Sequence, residues 1–125
     1  MDARRAAAGQ IVLVVDDEPL ARMTLADMLY EAGFWTVEAE NADQAIRMLE
    51  SRSDIRIVFL DVVMRHGIDG LALAKLISRQ WPHIHIVIAS GKMYAPEEAL
   101  PEDAVFFHKP YRSRDVVPVL HRMAS

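Results

Sequence analysis

The 125-residue chain contains no cysteine. Disulfide staples, thiolate metal sites and a cysteine nucleophile are excluded on that ground. No apolar run approaches the roughly 18 residues that a membrane-spanning helix needs. The opening MDARRAAAGQ has two arginines but lacks the long apolar stretch of a secretory leader. Positive charge is in deficit: 14 Lys and Arg against 18 Asp and Glu leave a net charge of -4, which speaks against a broad nucleic-acid surface. No repeat, linker or low-complexity tract interrupts the chain. What is present is ordinary globular composition, 52% hydrophobic and 26% charged. The length suits one domain over residues 1–125, with 1–9 as a flexible lead. A cytoplasmic domain is the expectation.

Five short apolar runs alternate with segments of helical period. The runs are Ile11 to Val15, Thr36 to Ala39, Ile57 to Leu60, His85 to Ala89 and Val105 to Phe107. Unbroken Val/Ile/Leu runs predict strands covered on both faces, as in parallel sheets. Between them, Pro19 opens a stretch with Ala21, Leu25, Met28, Leu29 and Ala32 on one face, and Gly33 closes it. Asn41 is the expected N-cap of a second helix carrying Ala42, Ala45, Ile46 and Leu49 inward. Asp69 is the expected cap of a third, with Leu73, Ala74 and Ile77 inward and Pro82 as the stop. A last helix starts at Ser113 and uses Val116, Val117 and Leu120. Pro118 there costs one backbone bond or almost none, depending on the N-cap. Between the fourth and fifth runs, Pro96 and Pro101 leave about one helical turn, so a shortened or mobile fourth helix is expected. The β-α-β alternation predicts a three-layer α/β sandwich with five parallel strands in order 2-1-3-4-5.

In such sheets the functional crevice lies beyond the carboxyl ends of the strands. The first run ends in Asp16 and Asp17, the third in Asp61, the fourth in Ser90, and Lys109 follows the fifth. Each has an ordinary reading alone: an Asp after a strand is usually a turn residue or cap, and a Lys before Pro a solvated charge. Together they bring three carboxylates, a hydroxyl and an ammonium to one rim. Three adjacent carboxylates cannot all ionise cheaply. A hard divalent cation relieves this, and an all-oxygen donor set suits Mg²⁺ or Mn²⁺. A carboxylate at such a site can attack phosphorus to form an acyl phosphate.

The segments VLVVDDEP, FLDVVM, VIASG and FHKP, in that order, resemble the receiver domain of two-component response regulators, from Ile11 to Leu120. The resemblance implies a receiver, either stand-alone or excised from a longer chain, with Asp61 as phosphoacceptor. It implies that Asp17 binds the metal directly, Asp16 mainly through water, and the backbone carbonyl of Val63 as a further ligand. Ser90 would bond a phosphoryl oxygen and shift toward it on activation, and Lys109 would pair with the phosphoryl group. It also implies a cis Lys109-Pro110 bond. Phe106 occupies the aromatic switch position, with plain core packing as its ordinary reading. The implied partners are a histidine kinase or a histidine phosphotransfer protein, docking on the first helix near Leu20, Met23 and Met28 and on the loop after the fifth strand. Such a domain signals by conformational change or acts as a phosphoryl relay or sink, without a turnover substrate.

Two departures stand out. The usual Met-Pro turn after the acceptor is replaced by Met64 to Gly70, with Gly67 expected to supply the turn. The shortened segment after Ser90 lies where receivers build their signalling surface, so activation is expected to order Gly91 to Leu100. The apolar Val63, two residues past the acceptor, cannot orient an attacking water. Slow self-dephosphorylation is therefore expected, and Val63→Asn should shorten the phosphorylated lifetime in a radiolabel or intact-mass decay assay.

Other readings fit the residues less well. An unphosphorylated interaction module does not require both the acidic pair and the lysine. A magnesium-dependent phosphohydrolase with an Asp nucleophile would want a second Asp at position 63. A flavin site would want a Gly-rich phosphate cradle where DDEP stands. His83 and His85 leave a zinc site as a minor alternative.

Overall fold

The computed structural model describes residues 9–61, 70–91 and 100–125. The expected flexible lead (largely), the Gly67 turn, the Asp69 cap, Val63 and the segment 92–99 lie outside these residues. The strands are β1 (Ile11–Val15), β2 (Trp35–Ala39), β3 (Ile55–Asp61), β4 (His85–Ser90) and β5 (Val105–His108). The described helices are α1 (Pro19–Glu31), α2 (Ala42–Ser51), α3 (Gly70–Gln80) and α4 (Ser113–Ala124). The sheet is parallel in the order β2-β1-β3-β4-β5. That is the order expected from the alternation of runs.

Strand periodicity sends alternate side chains to opposite faces. Leu13, Val15, Val58, Leu60, Ile86 and Ile88 join α2 and α3 in one buried cluster. Val12, Val14, Phe59, Val87 and Ala89 join α1 and α4 in the other. Covering both faces explains why β1, β3 and β4 read as unbroken apolar runs. Removing a Leu or Ile from water at these positions is worth roughly 1.5–3 kcal/mol each.

Local chemistry sets the helix ends. α1 starts with Pro19 in its first turn, and the Glu18 side chain accepts from the Leu20 N–H at 3.3 Å. It ends in a paired cap: Gly33 N–H donates to the Tyr30 carbonyl and Phe34 N–H to the Leu29 carbonyl, both at 3.0 Å. Gly33 has φ 100°, which favours a residue without Cβ. The turn carries Phe34 into the core beside Leu29. Asn41 caps α2 as expected, accepting from Gln44 N–H at 2.8 Å. α4 has Arg112 at its N-cap, so Pro118 lies inside the helix beyond the first turn. It therefore forfeits one backbone bond, to the Arg114 carbonyl, on an exposed side of the helix. Of the stretch between β4 and β5, residues 100–104 form a turn in which Ala104 N–H meets the Pro101 carbonyl at 3.0 Å.

Candidate functional site

The parallel register delivers the ends of four strands to one rim. Asp16 follows β1 directly, and its N–H donates to the Ala39 carbonyl at the end of β2, at 3.1 Å. Asp61 closes β3 opposite Ala89 of β4. Ser90 closes β4 opposite His108 of β5 and is fully buried. The Ser90 carbonyl accepts the Lys109 N–H at 2.8 Å, which seats the lysine beside the end of β4. The Lys109-Pro110 bond is cis, as expected.

The side chains converge. Asp16, Asp17 and Asp61 each place a carboxylate oxygen within 4.8 Å of the others, and among the described residues this is the one cluster of three or more metal-ligating groups. Lys109 Nζ donates to Asp61 Oδ2 at 3.2 Å and lies 3.9 Å from Asp16 Oδ2. His83 and His85 form no such cluster among the described residues. Phe106 packs with the α2–α3 side of the core and meets His108 edge-on, centroids 4.8 Å apart. Val63 lies outside the described residues. The oxygen-only donor set and its excess negative charge fit a hard divalent cation such as Mg²⁺.

Asp16 is nearly buried, and burial pushes its carboxyl above the ordinary value. The Glu18 N–H, donating to Asp16 Oδ1 at 2.9 Å, works the other way, while Asp61 and Asp17 add repulsion against the attraction of Lys109. Without metal, the folded state therefore binds a proton on Asp16 more readily than the unfolded chain does. Stability from this group rises as pH falls through its raised folded value toward 3.8, and ionisation at neutral pH opposes folding. Asp16→Asn should raise the thermal midpoint of chelator-treated protein at pH 7 by a few degrees. The advantage should shrink on acidification. Melting curves at several pH values test this, and a lower midpoint at pH 7 contradicts it.

Two residues of this region escaped the sequence reading. Tyr111 stacks obliquely on Phe59 and Phe107, and burial, with Asp16 and Asp61 nearby, pushes its phenol up to about 12. It stays protonated at the flank of the site. Its position two residues after the strand-end lysine was the available signal. Arg22 donates from Nη1 to the Asp16 backbone carbonyl at 2.7 Å and from Nε to Glu38 Oε1 at 2.9 Å. Nothing in the local sequence pairs these residues.

A groove of about 820 Å³ adjoins the cluster, between α1 and the loop after β5. Leu20, Thr24, Met28, Pro110 and Tyr111 line it, with Asp16 and Lys109 at the site end. Leu20 and the neighbouring Met23 are exposed, while Met28 belongs both to the groove wall and to the edge of the core.

The family model for the response regulator receiver domain matches residues 12–120. The nitrogen assimilation regulatory protein NtrX of Azorhizobium caulinodans is 30% identical over 115 residues, 89% of this chain and 25% of its own length. The transcriptional regulatory protein PdtaR of Mycobacterium tuberculosis is 31% identical over 123 residues, 96% of this chain and 59% of its own. The chain thus spans from a quarter to about three-fifths of the length of these curated relatives. The crystal structure of the response regulator TrrA of Thermotoga maritima, in complex with Mg²⁺-BeF, superposes with a TM-score of 0.81 at 26% identity, covering 91% of this chain and 98% of that one. No helix among the described residues is long and apolar enough to cross a membrane.

Proposed function

This chain belongs to the response regulator receiver domain family, and from that premise we propose that it takes a phosphoryl group onto Asp61 in a Mg²⁺-dependent reaction. The observation that carries the reading is the meeting of three carboxylates within 4.8 Å of one another, with Lys109 Nζ 3.2 Å from Asp61 Oδ2. Asp16, Asp17 and Asp61 would hold the cation, with the Val63 backbone carbonyl as the further ligand the family pattern implies. A bound Mg²⁺ would supply charge that lets the carboxylates ionise together and offsets the phosphoryl oxygens.

The chain's own residues do the rest. An Asp61 oxygen attacks phosphorus in line; the new P–O bond forms as the P–N bond of a phosphohistidine breaks and the imidazole leaves. Lys109 turns from the Asp61 carboxylate to the incoming phosphoryl oxygens as a point charge. The Ser90 hydroxyl donates to one of them, and Phe106 follows Ser90 as the switch residue. The donor is a histidine kinase or histidine phosphotransfer protein. It docks over the groove between α1 and the β5 loop, where adaptable Met and Leu side chains are exposed. As a cytoplasmic receiver it signals by shape or relays phosphoryl groups, with no turnover substrate. No observation favours the alternative, a receiver-like module that is never phosphorylated.

Intact-mass analysis after incubation with acetyl phosphate and Mg²⁺ tests the reading. One added phosphoryl group is expected, and none when Mg²⁺ is chelated. An unmodified mass under both conditions would overturn it.

A further inference from the structure

Asp16 is tethered at three points besides its cation-facing oxygen. Its N–H is held by the Ala39 carbonyl at 3.1 Å and its Oδ1 by the Glu18 N–H at 2.9 Å. Its backbone carbonyl takes the shortest of the three bonds, 2.7 Å from Arg22 Nη1. That carbonyl lies in the same rigid plane as the Asp17 amide, so turning it re-aims Asp17 as well. Arg22 is braced in turn. Its Nε bonds Glu38 Oε1 at 2.9 Å, its side chain is only 15% exposed, and its own N–H is held by the Glu18 carbonyl at 3.0 Å. Glu38 lies on β2 opposite Val14, one residue before Ala39. A planar guanidinium with two nitrogens committed to two partners transmits orientation in a way that a flexible ammonium cannot.

We propose that Arg22, braced by Glu38, is a positioning residue for the acidic pair, holding the Asp16 carbonyl so that Asp16 and Asp17 face the divalent cation. This rests on the cation binding proposed above. The alternative role, charge alone, predicts the opposite sign. A guanidinium bonded to the Asp16 backbone repels a divalent cation, so its removal would tighten binding if position did not matter.

The test is calorimetric titration of Mg²⁺ into the full chain, with thermal melts to establish that each variant is folded. Arg22→Ala should raise the Mg²⁺ Kd about tenfold, the lower end of what loss of a ligand-orienting partner costs. Arg22→Lys, which can reach one partner but not brace both, should fall between wild type and Arg22→Ala. Glu38→Ala should weaken binding less than Arg22→Ala, and the double variant should be no weaker than Arg22→Ala alone. Should Arg22→Ala fail to fold, Arg22→Lys carries the comparison, because it keeps the positive charge and charge alone then predicts unchanged binding. Unchanged or tighter binding in the folded variants overturns the clamp while leaving the cation site standing. Absence of binding by the wild-type chain overturns the cation site and the clamp together.

Discussion

Asp61→Asn is expected to reduce phosphoryl uptake from acetyl phosphate to an undetectable level. The substitution keeps the size and planarity of the side chain but removes the anionic oxygen that would attack phosphorus. It also removes one of the two carboxylates facing Lys109, leaving Asp16 Oδ2 at 3.9 Å as the nearer acidic partner. The fold should survive, because Asp61 stands at the end of β3 and the core beneath it, Phe59 and Leu60, is untouched. Intact mass therefore reads chemistry and not unfolding, provided the melting curve is retained. Persistent addition of a phosphoryl group in Asp61→Asn would mean that another carboxylate, most directly Asp16 or Asp17, is the acceptor. Fragmentation of the modified protein would then identify it.

Lys109→Ala has two expected effects of opposite direction. Phosphoryl uptake should slow by roughly 100-fold, since one preorganised charge aimed at the transferring group is lost. Mg²⁺ binding should tighten by roughly three- to tenfold, because a cation that competes for the same oxygens has gone; at a partly exposed site the relief is about 1 kcal/mol. The metal-free protein should also melt earlier, with its carboxylates left without their nearest positive partner. Stopped assays with acetyl phosphate, together with calorimetry, separate the two effects. Slower uptake with weaker Mg²⁺ binding would show that Lys109 shapes the acidic cluster more than it competes for it. The contrast with Arg22→Ala is informative: both variants lose a positive charge near the site, yet the expected changes in Mg²⁺ affinity have opposite signs.

Much of this molecule could be read directly from its residues. The run Ile11 to Val15 coincides with β1, because a strand covered on both faces must be apolar at every position. β3 begins earlier than its apolar core suggests, because the exposed Arg56 sits within the strand near its start, before both faces are covered. β2 starts at the exposed Trp35, as suits an edge strand with only partial cover. Gly33 and Asn41 act where expected, since capping is chemistry between near neighbours in sequence. The acidic pair, Asp61, Ser90 and Lys109 were identifiable from the strand-end rule once the order 2-1-3-4-5 was in hand.

The amino-acid order alone, then, determined the strands, the described helices and the list of groups at the rim, because periodicity, capping and strand-end position are local properties. Tertiary structure decided the separations among those groups, the seating of Tyr111 beside them and the bond from Arg22 to Asp16. The Arg22–Glu38 pair joins residues 16 apart, and Lys109 reaches Asp61 across 48. Such pairings arise only when packed helices and strand register bring distant segments within hydrogen-bonding range, and no pattern in a short window of residues encodes them.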